Sequence, residues 1–312
     1  MWQPALDRAT LQRRATLLAD IRRFFHDRQV MEVDVPTLGA TTVTDPHLSA
    51  PSVQLVGRSV YLQTSPESFM KRLLAAGSGS IYSLGKAVRD DESGRRHNPE
   101  FTLLEWYREG LDDRALMDEV FALFAQLSPG LQGRKVSYRE VFSAAIGFDP
   151  HTASDHVLRS AVCDTTDIDA DTLDRNACLE LLFSYRVESE LHGLTAVYDY
   201  PASQCALAKV REDETGVPVA KRFEVFWKGM ELANGYWELT DAEEQRQRFL
   251  ADCVLRQKMG RTVPKVDEKL LAALAAGLPE CAGVALGVDR LLMCLFEKAD
   301  IAETMPFPFS HL

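Results

Sequence analysis

Residues 86–109 read KAVRDDESGRRHNPEFTLLEWYRE, a charged loop set between two stretches that alternate apolar and polar side chains. The alternation predicts strands over 81–89 and 99–108 joined by that loop. Along Phe101–Arg108 a period of two puts Phe101, Leu103, Glu105 and Tyr107 on one face. A carboxylate and a phenol beside two apolar side chains is the pattern of a pocket wall. Arg89 closes the incoming strand, and Arg95, Arg96 and His97 lie in the loop. A guanidinium grips phosphate or carboxylate oxygens through two parallel hydrogen bonds, which lysine cannot do. Two readings stand on this segment alone: a solvated charged hairpin, or a clamp holding an anion at its tip and an amine farther down.

Working outward, residues 11–30 space Leu11, Leu17, Leu18, Ile21, Phe24 and Phe25 as a helix, and VMEVDVPTL reads as a short strand stopped by Pro36. SVYLQTSPESFMKRLLAAG gives a strand, then a helix capped by Thr64 or Ser65 and ending near Gly77. Residues 112–128 form a further helix, and two helical patterns fall within about 150–195, read as a helical insertion. Strands return at TAVYDYP and KRFEVFWKGMEL. A helix follows from Asp241 to about Lys258, with a capping box expected from Thr240 and Glu243. The Gly-rich GVALGVDRLLMCLFEKA is a strand running into a helix. Hairpins mixed with intervening helices predict an α+β fold, a mixed and mostly antiparallel sheet flanked by helices, in a single domain over 1–312.

The chain has 312 residues, 46% apolar and 26% charged, as expected of a soluble globular protein. No window is long and apolar enough for a membrane span, and the charged, amphipathic N-terminal segment is unlike a secretory signal, so a cytoplasmic protein is expected. Six scattered cysteines without a C-x-x-C pair speak against a zinc site or a disulfide framework. A net charge of −11 argues against a protein that coats nucleic acid, though a local basic groove remains compatible with it.

In GMELANGYWELTD, Glu231 and Glu238 sit symmetrically about Asn234-Gly235. If Asn-Gly forms a two-residue turn, the carboxylates face one another across a hairpin and need cations between them. The alternative is an irregular loop with both side chains in water.

VRDDESGRRHNPEFTLLEWY resembles motif 2 of the class II aminoacyl-tRNA synthetases of the lysyl type. MEVDVPTL resembles motif 1, GVALGVDRLLM resembles motif 3, and FEVFWKGMELANGYWELTDAEEQRQRF is similar to the lysyl-type block between them. The four motifs run in family order along nearly the whole chain. The resemblance implies ATP as co-substrate and Mg2+ held by Glu224 and Glu231, two hard-oxygen ligands that phosphate oxygens and water would complete. It implies Arg89 and Arg290 as catalytic residues, Arg89 bridging the substrate carboxylate and the α-phosphate. His97, Asn98, Asp91, Leu232 and Gly287 would contact ATP, and Phe101 and Arg290 would sandwich its adenine. Ser65, Glu67, Glu105, Tyr107, Asn234, Glu238 and Ala285 would line the amino-acid pocket, Glu238 taking the side-chain ammonium. Motif 1 implies a homodimer with Pro36 near its interface.

Lysyl-tRNA synthetases carry an N-terminal OB-fold that reads the anticodon, whereas motif 1 here begins within about 30 residues of Met1. No anticodon-binding domain is therefore expected, and tRNA is disfavoured as partner. The arrangement, with TSPE, YPASQ, ELANG and GVALGVDR, is similar to the stand-alone paralogues that adenylate (R)-β-lysine and transfer it to a lysine of elongation factor P. Two alternatives stay open: a lysyl-type enzyme using α-lysine, and an inactive paralogue serving as a regulatory subunit. Ala285 replaces the glycine of lysyl synthetases, and its methyl would crowd an α-amino group, at a cost of roughly 1–3 kcal/mol or about 5- to 150-fold in affinity. Asp91 stands where the family's R-x-E has glutamate, one methylene short of the adenine, leaving Glu92 or a water to span the gap.

Overall fold

A computed structural model describes residues 2–90 and 93–312. Its elements are α1 (Arg8–His26), β1 (Met31–Glu32), β2 (Leu38–Gly39), β3 (Ser52–Leu55), β4 (Arg58–Leu62), α2 (Glu67–Ala75), β5 (Ile81–Val88) and β6 (Glu100–Glu109). There follow α3 (Asp113–Leu127), β7 (Arg134–Ser137), α4 (Tyr138–Ile146), α5 (Asp155–Thr165), α6 (Arg175–Leu182), β8 (Thr195–Pro201), β9 (Val210–Glu212), β10 (Pro218–Trp227) and β11 (Met230–Trp237). The chain closes with α7 (Ala242–Lys258), α8 (Glu268–Gly277), β12 (Cys281–Gly287) and α9 (Val288–Phe296).

The strands form a sheet of order β1-β5-β6-β12-β11-β10-β8-β7, with β9 paired to β10, and a smaller sheet β2-β4-β3. Pairing in the large sheet is antiparallel except for β1 with β5 and β7 with β8 at its two edges. The expected α+β fold and mostly antiparallel sheet are borne out.

Alternation on the strands sends side chains to two faces. Leu104 and Trp106 of β6 enter one core with Phe24 and Phe25 of α1, Leu116 and Phe124 of α3, and Leu291 of α9. Trp106, Phe24 and Phe25 are fully buried, each contributing on the order of 1.5–3 kcal/mol. On the opposite face Tyr107 and Ile81 pack with Met70 and Leu74 of α2 and Leu271 of α8. The segment expected as an insertion supplies α5 and α6. With α4 they bury Leu158, Cys178 and Leu182 against Val197, Tyr200 and Phe226 of β8 and β10.

The expected cap of the 241–258 helix is displaced by one residue. Asp241 itself accepts from the Glu243 and Glu244 amides, because it is the residue next to the helix and one of its carboxylate oxygens reaches both donors. At α2 the cap position is Pro66, and Ser65 Oγ only approaches the Glu67 amide, at 3.5 Å.

Candidate active site

The turn joining β10 and β11 lies at Lys228-Gly229, whose φ angles of 55° and 65° fit a tight two-residue hairpin connection. Asn234-Gly235, read from sequence as either a turn or part of an irregular loop, is in mid-strand instead. Asn234 pairs with Glu224 on one side and Ala285 on the other. Gly235 is there for space: a Cβ would lie 2.4 Å from the Phe223 ring and 2.9 Å from Val284.

Between Val225↔Ala233 and Phe226↔Glu231 the register skips Leu232. This β-bulge reverses the alternation, so Glu231 joins Asn234, Tyr236 and Glu238 along the cavity despite its odd number. Leu232 borders the cavity but is itself 2% exposed, its side chain packed in the core.

The strand registers align two rows across five strands. One runs Glu224, Asn234, Ala285, Glu105, Ser83; the next runs Arg222, Tyr236, Gly283, Tyr107, Ile81. Above them lies a cavity of about 650 Å³, a size suited to small ligands. The residues 41–48, the start of α2, α7 and the hairpin tip wall it. Phe101, Leu103, Glu105 and Tyr107 all line it, as the alternation of β6 predicts.

At one end are three carboxylates. Glu105 is 3% exposed and accepts a 2.7 Å hydrogen bond from the Tyr107 hydroxyl. Glu67 and Glu238 each lie 2.7 Å from the Lys71 ammonium. Gly283 leaves room for Tyr107 and Glu238 above it. Burial pushes the Glu105 carboxyl up to about 8, helped by the charge of Glu67 and opposed by the Tyr107 hydrogen bond. Burial likewise raises Glu238, against the opposing pull of Lys71. This end is charged to receive ammonium groups.

Next along the face, Arg222 pairs with Glu224 and donates to Asn234 Oδ1 at 3.2 Å, and the Tyr200 hydroxyl donates to Glu224 at 2.7 Å. Burial raises Glu224, Arg222 pulls it down, and the charge of Glu231 raises it again. Two mutually repelling carboxylates at one cavity fit a divalent cation that phosphate oxygens and water would complete. Among the described residues no cluster of three His, Cys, Asp or Glu side chains could hold a metal by itself.

The other end is cationic and aromatic. Arg290, in the first turn of α9, donates to the Glu231 carbonyl at 3.0 Å and lies 3.4 Å from its carboxylate. It also meets His97 Nε2 and the Arg96 carbonyl. Arg89 lies 5.1 Å over the Phe101 ring, and its Nε approaches the Thr64 carbonyl at 3.4 Å. Gly287 is open: an added Cβ would meet only Arg290 carbons, at 3.8 Å or more. Asn98 lines the cavity, but its amide donates to the Glu100 carbonyl and its oxygen accepts from the Phe309 amide, bracing the C-terminal segment. Asp91 falls outside the described residues.

Sequence reasoning missed Lys71, Arg222, Tyr200 and Tyr236. Lys71 carried a signal, standing one helical turn after Glu67. It also missed the bracing behind Phe101 and Arg290. Buried Asp289 pairs with Arg14 at 2.6 Å and accepts from the Thr102 amide at 2.6 Å, tying α1, β6 and α9 together.

Residues 5–311 match the family model described as tRNA synthetases class II (D, K and N). The chain is 47% identical over 318 residues to the elongation factor P–(R)-beta-lysine ligase of Vibrio cholerae, spanning 99% of this chain and 98% of that protein. It is 46% identical over 316 residues to the ligase of the same name from Photorhabdus laumondii, at 98% and 97% of the two chains. The ligase of that name from Pseudoalteromonas translucida is 45% identical over 317 residues, covering 98% and 97%.

Proposed function

Because this chain belongs to the class II tRNA synthetases (D, K and N), we propose that it is an ATP-dependent ligase that adenylates (R)-β-lysine and transfers it to a lysine ε-amine of elongation factor P. The observation that carries this reading is the polarity of one continuous cavity. Carboxylates Glu67, Glu105 and Glu238 line one end; Arg89, Phe101 and Arg290 line the other. A diamino acid laid along this face puts its ammonium groups among the carboxylates and its carboxylate toward the arginines.

In the first step a carboxylate oxygen of the substrate attacks the α-phosphorus of ATP, the new P–O bond replaces the bond to the β-phosphate, and pyrophosphate leaves. Arg89 holds the substrate carboxylate against the α-phosphate, and Arg290 with Phe101 holds the adenine. Neither forms a covalent bond, so catalysis is positioning and charge stabilisation. Glu224 and Glu231 would hold Mg2+, which supplies positive charge against the phosphate oxygens. In the second step the acceptor amine attacks the acyl carbon, an amide forms, AMP leaves, and the amine gives up a proton. The single catalytic domain acts in the cytoplasm. It pairs as a homodimer through the region of Pro36, which is exposed beside the edge strand β1.

The test is pyrophosphate exchange with (R)-β-lysine and α-lysine at equal concentration, followed by transfer to purified elongation factor P. Preference for β-lysine with transfer is expected. Preference for α-lysine would replace the substrate assignment, and no exchange by folded protein would overturn the enzyme reading. A monomer at micromolar concentration in light scattering would remove the dimer.

A further inference from the structure

The cavity is lined by Glu67 and Glu238, and behind them lies an ammonium that the reaction above does not use. Lys71 projects from α2, its side chain 2% exposed, 2.7 Å from Glu67 and 2.7 Å from Glu238. We propose that Lys71 is a positioning residue for the substrate: its buried charge aims Glu67 and Glu238 and favours the ionised form of Glu238, so that this carboxylate can accept the substrate's side-chain ammonium. The inference rests on the diamino-acid reading of the cavity.

A carboxylate as buried as Glu238 protonates unless a cation is beside it, and a neutral carboxyl group cannot form an ion pair with an ammonium. Charged and titratable groups face Glu238 from every side. Lys71 and Glu67 reach it from α2, Glu105 and Tyr107 from β6, and Tyr236 from β11. Cys281 reaches it from β12, and Lys209 from just before β9. Burial and Glu67 raise its pKa, while among these neighbours Lys71 is the strongest influence lowering it, with Lys209 weaker, and the balance leaves Glu238 at about 7. Burial opposes the charge on Lys71, but Glu238 and Glu67 outweigh that and hold the ammonium well above its usual pKa. Glu67 and Glu238 each turn one oxygen to Lys71, and both residues line the cavity.

Lys71→Met keeps the volume of the stem and removes the charge; Lys71→Gln removes the charge while keeping hydrogen-bonding capacity toward both carboxylates. Both are compared with wild type and Lys71→Arg in pyrophosphate exchange with (R)-β-lysine from pH 6.5 to 9. Each pKa unit by which Glu238 rises above ambient pH cuts its ionised fraction about tenfold. The KM for β-lysine at pH 7 should therefore rise about tenfold or more in the Met and Gln variants and fall back toward wild type as pH approaches 9. The kcat should change little, and arginine should restore the wild-type profile. A KM unchanged, or raised equally at every pH, would overturn the proposal, the second result showing a packing role. Where the Met variant fails to fold, the Gln variant carries the same test. Failure of wild type to exchange with either lysine would instead overturn the substrate reading, and this proposal with it.

Discussion

Replacing Gly283 by alanine puts a methyl group where two buried side chains already lie. The new Cβ would be 2.4 and 2.5 Å from ring carbons of Tyr107 and 2.6 Å from Glu238 Oε1, about 1 Å inside ordinary contact. Neither neighbour has an easy retreat. The Tyr107 ring is packed with Met70, Leu74 and Ile81 and its hydroxyl is tied to Glu105, while Glu238 is held by Lys71. The cost should fall toward the upper end of the roughly 1–3 kcal/mol typical of overpacking, equivalent to about 100-fold when expressed in substrate affinity. Guanidinium unfolding reads the stability loss, and the KM for β-lysine in pyrophosphate exchange reads the pocket. Gly287→Ala is the control. Its Cβ meets only Arg290 carbons at ordinary distance, so stability should hold and any effect should fall on the KM for ATP. A Gly283→Ala protein within about 0.5 kcal/mol of wild type, with unchanged KM, would refute the packing argument.

Ala285 lies between Asn234 and Glu105 on the cavity floor. Ala285→Gly should move the β-lysine to α-lysine ratio of kcat/KM toward α-lysine by about 5- to 150-fold, and an unchanged ratio would show that the methyl does not discriminate. Arg222→Met strands Glu224 with only the Tyr200 hydroxyl; since both partners keep some solvent contact, denaturant unfolding should read the lower end of the roughly 3–5 kcal/mol for breaking a buried pair. Glu105, raised in the fold to about 8 from 4.5, binds its proton more tightly folded than unfolded. Its contribution to stability is thus complete below about pH 4.5 and is lost as pH rises through 8. In urea unfolding without ligand between pH 6 and 8.5, Glu105→Gln should lack this loss, and a pH slope identical to wild type would show that Glu105 is not so perturbed.

The elements legible in the sequence were those whose local pattern and tertiary environment agree. Phe101, Leu103, Glu105 and Tyr107 alternate because β6 is a central strand with a core on one side and a cavity on the other, and period two records both. Asn234-Gly235 misled because Asn-Gly is a turn signal only where the chain is free to reverse. Here Gly235 answers to Phe223 and Val284, residues distant in sequence or on another strand, while Lys228-Gly229 makes the turn. The bulge at Leu232 left no local trace, although it places Glu231 at the cavity. Lys71 was hidden for a related reason: a lysine one turn after a glutamate on an amphipathic helix usually marks a solvated face, and only the packing of α2 against Glu238 makes it buried.

The charge along the cavity explains why the same sheet face can both bind and orient a diamino acid. Glu67, Glu105 and Glu238 gather about the buried ammonium of Lys71 at one end, so their full ionisation leaves an excess of negative charge that a buried site sustains only with cations. Protons can offset part of that deficit, and the direction in which burial and Glu67 push the Glu105 carboxyl is upward, toward the protonated form. Toward the middle the acids are already answered, Glu224 by Arg222 and Glu231 by Arg290, so an ammonium gains less there. On the proposed reading, a substrate with two ammonium groups would be drawn to this end, where its charge would take the place of protons. Its carboxylate, repelled by the same acids, is left facing Arg89. Orientation follows from where this fold leaves its carboxylates short of cations.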